Sequence, residues 1–421
     1  MYRERWNTSE MMKGVFALLS GNTISQAIGL LICPLLTRLF SPDEFGVFNL
    51  FLSIGGVLVL FANAEFHNSI MLPRSEYKAV ACLHLGAITT VGSCLLFFFG
   101  VSVIFCLGVD VGPIGYWLYA VPVYSFFLAI WNMLNNWYAR KKHFWQMSFF
   151  QVSQSVGNAV LKSVFGWTKL RFNGLILGTI IGLLVALLLS VATSCRVLRP
   201  LLRFDWLACR VMAKKYVNFP KYSLPRSLVN FLSGNLPILL LSPYFSMDRI
   251  GLFGMALMLA FRPINMVSTS LYQIFYQRSA EKYRNREPLM PFFRLFTRNT
   301  LLLLVPTFFV LFLILPWLVS FLFGVKWMET GFYIRMMLPW LLVSSLVAPI
   351  CYFADMFSLQ KVGLFFELAN MLMRVLSLVY GIWMDNFHHA ILLYCVSNFV
   401  VISVQYFWYL SLVRRYDRSL V

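Results

Sequence analysis

Phe40-Ser41-Pro42-Asp43-Glu44-Phe45-Gly46-Val47-Phe48 returns 205 residues later as Phe245-Ser246-Met247-Asp248-Arg249-Ile250-Gly251-Leu252-Phe253. Each stretch is a short polar step between two long apolar runs, with an acidic residue just before the second run begins. Two further echoes follow in the same order. Gly108-Val109, with Gly115 downstream, is matched by Gly324-Val325 with Gly331, and Asn158 and Lys162 are matched by Asn370 and Arg374. The offsets for these two are 216 and 212 residues. Three matches at nearly constant spacing read as an internal duplication.

The runs between these steps set the fold class. A bilayer-spanning helix needs about 20 consecutive apolar residues. On that ruler the spans are 15–36, 46–66, 81–107, 114–137, 146–167, 173–195, 222–242, 249–275, 299–322, 331–353, 362–383 and 389–412. The expectation is an all-α polytopic membrane protein of about twelve transmembrane helices in two pseudo-symmetric six-helix lobes. Residues 1–195 and 222–421 form the lobes, and 196–221 forms a linker between them. With an even number of helices per repeat, the copies run parallel and their pseudo-twofold axis lies along the membrane normal.

Composition agrees. Of 421 residues, 60% are hydrophobic and only 12% charged, against roughly 25% charged in soluble domains. Mean hydropathy is +0.74. The net charge of +19 does not indicate nucleic acid, because the basic residues cluster in short loops on one side. That side holds Arg3, Arg5 and Lys13, Arg74 and Lys78, Arg140 to Lys142, the 196–221 linker, 278–298, Lys361, and Arg414, Arg415 and Arg418. The opposite side holds Arg38, Lys169, Arg171, Arg249 and Lys326. The positive-inside rule then makes both termini and the linker cytoplasmic. The N-terminal apolar run is too long for a cleaved signal and reads as the first helix. The eight cysteines include no C-x-x-C pair and the five histidines no H-x-x-x-H pair, so neither a metal site nor a cofactor is indicated.

Charges inside the spans are the informative exceptions, since a cation at a helix centre costs roughly 2.5–3.5 kcal/mol on insertion scales. Lys162, Arg226, Arg262, Arg335 and Arg374 fall there. Arg226 lies near a cytoplasmic helix start, and Lys162 and Arg335 lie toward the outer face. For these three, snorkelling to a headgroup and a functional role both fit. Arg262 and Arg374 lie near mid-helix and should face protein interior or a hydrated cavity. Amides and hydroxyls share their helical faces: Asn265, Thr269 and Gln273 follow Arg262, and Glu367 and Asn370 precede Arg374. Similar stripes are Gln151, Ser155, Asn158 and Lys162 in the fifth span, Arg226, Asn230 and Ser233 in the seventh, and Asn22 and Gln26 in the first. Interhelical hydrogen bonding explains scattered Ser and Asn but not deep arginines. The expectation is one cationic cavity that Glu367 neutralises or couples to an ion. Pro220, Pro225, Pro237, Pro243 and Pro263 place bends in the seventh and eighth helices.

Several blocks carry a family resemblance. They are Gly21 to Phe48 (with Pro34-Leu35-Leu36-Thr37-Arg38-Leu39-Phe40-Ser41-Pro42), Phe219-Pro220-Lys221-Tyr222-Ser223-Leu224-Pro225, and Phe323-Gly324-Val325-Lys326-Trp327 with Leu338-Pro339-Trp340. The chain resembles bacterial polysaccharide flippases of the Wzx type, in the multidrug/oligosaccharidyl-lipid/polysaccharide (MOP) exporter superfamily. The resemblance implies a V-shaped twelve-helix fold in the bacterial inner membrane. It also implies alternating-access transfer of an undecaprenyl-pyrophosphate-linked glycan, such as an O-antigen unit for lipopolysaccharide, to the periplasmic leaflet. Implied partners are that glycan, membrane lipids, and a polysaccharide polymerase with its chain-length regulator. Related lipid flippases use arginines of the first, seventh and eighth helices on the pyrophosphate. Arg226 and Arg262 occupy compatible helices, whereas the first helix carries Asn22 and Gln26.

Two other readings stand beside it. A cation-coupled drug exporter on the same fold needs cavity carboxylates, and only Glu367 is offered. An O-antigen polymerase or ligase needs a sizeable outer loop bearing catalytic groups, and the outer connections are only about ten residues long. The expectation is a transporter, not an enzyme.

Overall fold

The computed structural model describes residues 8–420 apart from Lys169, Arg171 and Ser358; the side chains of 8–19 and 265–274, with a few others, are not described. Among the described residues there is no strand. The long helices among the described residues overlap the expected spans: α1 Thr8–Leu31, α2 Pro42–Asn63, α3 Glu76–Cys106, α4 Ala120–Arg140, α5 Phe144–Trp167, α6 Phe172–Thr193, α7 Leu224–Leu241, α8 Met247–Arg284, α9 Met290–Phe323, α10 Met328–Val347, α11 Gln360–Trp383 and α12 Phe387–Arg418. Among the described residues, eight helices are long and apolar enough to cross a membrane, and these contain α2, α3, α4, α6, α9, α10, α11 and α12. The other four carry the polar stripes of the first, fifth, seventh and eighth spans. Amides, hydroxyls and a charge interrupt α5 and α7, while α1 and α8 contain undescribed side chains.

By compactness the chain divides into Met1–Leu239 and Leu240–Val421. The boundary falls inside α7, so most of that helix goes with the first unit instead of opening the second. Two contacts explain why. Phe231 of α7 packs against Gly56 of α2, where a Cβ would come within 2.1 Å of its ring, and Ser53 donates to the Asn235 amide oxygen at 3.3 Å.

The repeat-related steps differ in their chemistry. Ser41 caps α2 and forms a full capping box with Glu44: its hydroxyl accepts from Glu44 N, and Glu44 accepts from Ser41 N at 2.7 Å. Ser246 precedes α8 without a side-chain cap, and Arg249, three residues on, cannot supply the reciprocal bond that Glu44 gives. Gly108 and Gly324 end α3 and α9 with φ of 68° and 101°, a conformation glycine adopts without Cβ strain. Gly115 has φ 50° in the turn of helix (Gly112–Tyr119) leading into α4. Its counterpart Gly331 is instead helical, where a Cβ would sit 2.5 Å from Pro316 Cα.

In the first unit, α5 and α6 are joined by a glycine stripe. Gly174, Gly178 and Gly182 recur every fourth residue of α6 and so share one face. Cβ atoms added there would approach Phe165, Lys162 and Asn158 to 2.9, 2.7 and 2.4 Å. Small residues let helix backbones meet where lipid supplies no hydrophobic drive. A second close approach joins α1 to α5 at Gly21 and Ser148. Arg140, at the end of α4, donates to the carbonyls of Ile70, Met71 and Pro73 at 3.0, 3.2 and 2.6 Å. It closes the turn before α3, a role beyond its topological charge.

The linker is ordered. A helix, Trp206–Lys215, is capped by Asp205 and docks Cys209 and Met212 against Ala79 to Leu83 of α3. Burial pushes the Cys209 thiol up from its ordinary value, with Asp205 and Cys82 adding to the shift, so it packs as a neutral side chain. A π-helical turn, Phe219–Ser223, then runs directly into α7. In the second unit Asp417 of α12 caps the start of α9, accepting from Leu289 N and Met290 N at 2.8 and 2.9 Å.

The stripe makes a direct prediction. Gly182→Ala drives a methyl into Asn158 and should cost about 1–3 kcal/mol, read as a lower melting temperature of the detergent-solubilised protein. Gly100→Ala on α3, where a Cβ meets nothing within 4 Å, should leave the melting temperature unchanged or slightly higher. Equal losses at both positions would remove the seam from the account.

Candidate functional site

Arg374 projects from α11 into the most structured polar constellation of the second unit. Its Nε donates to the Asn398 amide oxygen on α12 at 2.6 Å. Its guanidinium lies 5.9 Å from the centroid of the Trp340 ring on α10 and 5.7 Å from that of Tyr394 on α12. Asn398 is fully buried and donates its own amide to Tyr394 O at 2.7 Å, which fixes the orientation of its oxygen. Trp340 and Tyr394 meet edge to face at 5.6 Å, and Trp340 also meets Phe261 of α8 at 5.3 Å. Two neighbouring helices, α10 and α12, thus meet the guanidinium of α11, and α8 touches only its tryptophan partner. The geometry answers the cost of a cation in hydrocarbon with a charge-assisted hydrogen bond and two aromatic faces.

Arg262 follows Phe261 on α8 and is half-buried. The side chains of Asn265, Thr269 and Gln273 lie outside the described residues. Asn370 sits one turn before Arg374, and its amide oxygen is buried without a donor among the described residues. Glu367, expected as the buried carboxylate beside Arg374, is exposed. The buried carboxylate is Glu65, 4% exposed, at the left-handed end of α2 (φ 61°), where Asn68 donates to it at 2.5 Å. Helical register misplaced Glu367, because seven residues is nearly two turns and a small phase drift carries a side chain from interior to surface. Arg335 is also held in place: it donates to Leu313 O at 3.4 Å and lies over Phe312 and Phe332 at 5.1 and 5.3 Å.

In the first unit the stripes of α1 and α5 do meet. The Ser25 hydroxyl donates to Gln151 O at 3.1 Å and shares a short hydrogen bond with Ser155. Gln26 donates to Asn22 at 3.1 Å along α1, with Asn22 exposed. Lys162 places its ammonium 4.6 Å over the Phe48 ring of α2. Asn158, a turn earlier, lies against the bare Cα of Gly182 with its amide oxygen buried and without a donor among the described residues. Arg226 and Asn230 are exposed on α7. Among the described residues no group of three or more His, Cys, Asp and Glu side chains could hold a metal ion, and none of the eight cysteines is in a disulfide.

The residues that sequence reasoning missed are Asn398, Tyr394 and Trp340. The signal was present: Tyr394 and Asn398 are four residues apart on one face of an apolar helix.

The family model for polysaccharide biosynthesis proteins matches residues 35–331. The chain belongs to the polysaccharide biosynthesis protein family. No curated protein matches it. Among solved structures it is similar to an inward-facing multidrug resistance MATE family transporter of the MOP superfamily. The TM-score is 0.64 at 14% identity, over 96% of this chain and 99% of that one. It is similar also to a MATE transporter in complex with MaL6, with TM-score 0.59, 14% identity and 97% of both chains covered. A variant of the Vibrio cholerae MATE transporter VcmN gives TM-score 0.56 and 13% identity, again over 97% of both chains. At such identities these likenesses show the fold. This family member is therefore a multi-pass membrane protein with the MOP transporter fold.

Asn398→Ala removes the acceptor of Arg374 Nε and should destabilise the protein by about 1–3 kcal/mol. Adding Arg374→Met to Asn398→Leu should recover much of that loss, because replacing both partners by apolar groups leaves no unpaired charge. Thermal unfolding of the single and double variants in detergent checks this. A double variant no more stable than Asn398→Ala would contradict the pairing.

Proposed function

We propose that this protein is a flippase that moves an undecaprenyl-pyrophosphate-linked oligosaccharide, such as an O-antigen unit, from the cytoplasmic to the periplasmic leaflet of a bacterial inner membrane. Family membership supports a role in polysaccharide biosynthesis, and the MOP fold supports transport. The observation that carries the substrate class is the permanently charged Arg374, kept inside an apolar helix by Asn398 and two aromatic rings. An arginine fork suits phosphate and carboxylate oxygens. The repeat-related Lys162 gives the first unit a cation at the matching position, and the Asn158 and Asn370 amide oxygens are acceptors of the kind that sugar hydroxyls donate to. In this reading the lobes exchange access across the linker, both termini are cytoplasmic, and Arg262 and Arg226 contribute to pyrophosphate binding. A polymerase with its chain-length regulator receives the flipped unit.

The solved MATE relatives favour a second reading, export of a small molecule. One experiment separates the two. The gene is deleted in a strain without a redundant flippase, then restored as wild type, Arg374→Ala or Arg262→Ala. For a flippase, surface polysaccharide disappears on deletion, lipid-linked repeat units accumulate in the cytoplasmic leaflet, and wild type reverses both. Arg374→Ala should restore polysaccharide at least about tenfold less efficiently at equal membrane abundance, the loss of one charge-assisted contact. Unchanged polysaccharide with new drug sensitivity would replace the flippase reading with the exporter one.

A further inference from the structure

The linker carries a second cationic feature, outside the transmembrane stripes. Arg196, Arg199 and Arg203 line one cavity of about 690 Å³, together with Glu76 and Tyr77 at the start of α3 and with Pro200. All three arginines are exposed, and none forms an ion pair among the described residues. The nearby carboxylates are already engaged. Glu76 is bridged to Lys141 at 2.7 Å. Asp205 accepts from Leu207 N and Ala208 N at 2.8 and 3.1 Å and from the Tyr77 hydroxyl. Three arginines without an ion-pair partner therefore line one cavity, and guanidinium forks take phosphate oxygens.

The surroundings identify the source of the phosphate. The linker helix buries Cys209 and Met212 against α3 and turns Trp206, Leu207 and Val211 outward, 63%, 70% and 52% exposed. Arg210 and Lys214 are exposed on the same helix. An exposed arc that mixes a tryptophan and aliphatic side chains with basic residues suits the headgroup region, where the rings and stems enter the interface and the cations meet phosphate. Charge bias puts this face on the cytoplasmic side, where anionic lipids attract basic segments. The cavity is lined by the start of α3 and by the 196–203 segment that leads into this helix.

We propose that Arg196, Arg199 and Arg203 form a binding site for the phosphate of an anionic membrane lipid, anchoring the linker to the bilayer surface. The site lies apart from the residues proposed to bind the translocated glycan and stands whatever that substrate is. Anionic phospholipid in the site ties α3 and the segment entering α7 to the membrane plane.

The test uses the full-length protein purified in detergent. Phosphatidylglycerol or phosphatidylcholine is titrated in mixed micelles, bound lipid is read by native mass spectrometry, and melting temperature is followed in parallel. The wild type should retain phosphatidylglycerol over phosphatidylcholine and gain melting temperature with it. R196Q/R199Q/R203Q should bind phosphatidylglycerol at least about tenfold more weakly, the loss of one or more charge-assisted hydrogen bonds. R414Q/R415Q/R418Q, with the same change in net charge, should stay within about twofold of wild type. Equal weakening in that control would mean diffuse charge and would overturn the site. Stabilisation by inorganic phosphate equal to that by the lipid would make a free anion the ligand and overturn the lipid assignment. Arg199→Gln alone removes one exposed guanidinium that forms no ion pair, and so guards against misfolding of the triple variant. Wild-type affinity in this single variant would also count against the site.

Discussion

The bond from Arg374 to Asn398 is where the second unit reconciles a charge with hydrocarbon. Lipid offers nothing to a guanidinium, so whatever surrounds it must come from the chain itself. Here α12 supplies an amide and a tyrosine ring, and α10 supplies a tryptophan. Phe261 then extends the same aromatic contact to α8. Because the partners of one side chain come from neighbouring helices, their rotation and depth are fixed together. The polar group sets the register of the unit, and the apolar packing around it follows. A planar guanidinium held this way presents its fork in a fixed orientation, which suits phosphate oxygens.

The first unit meets the corresponding problem at Lys162 in a different way. There the neighbouring helix contributes almost no side chain at all. Gly174, Gly178 and Gly182 let α6 close on α5 until backbone meets side chain, and the lysine ammonium reaches the Phe48 ring instead of an amide. A duplicated topology has thus kept the position of a cation and an asparagine while replacing their support. Asn158 rests on a bare Cα, whereas Arg374 is met by Tyr394 and Asn398. The halves are equivalent in helix order and unlike in packing chemistry, so equivalent substitutions need not have equivalent effects.

Helix positions were readable from the chain because the apolar runs are long and the charges between them sparse. The left-handed glycines 108 and 324 were equally readable, since each follows a helix and precedes a break. What resisted reading was orientation. Glu367 and Arg374 share an approximate face by spacing, yet one is exposed and the other is held by neighbouring helices. Asn398 resembled any lone amide in an apolar helix, and its importance comes from a residue 24 positions away. Arg140 and the linker arginines read as topology determinants because the carbonyls at 70–73 that Arg140 meets, and the cavity that the linker arginines line, are set by tertiary structure.

The π-helical turn at Phe219–Ser223 gives the entrance to α7 an unusual property. Such a turn holds one residue more than an α-turn, and each residue of helix corresponds to about 100° of rotation. If the wide turn migrated by a single position, the residues it passed would swing by roughly that angle while the helix axis hardly moved. The exposed Arg226 and Asn230 stand just beyond it. Passage of the wide turn beyond either residue would reset its aim like the throw of a screw, by a local change of winding with no hinge.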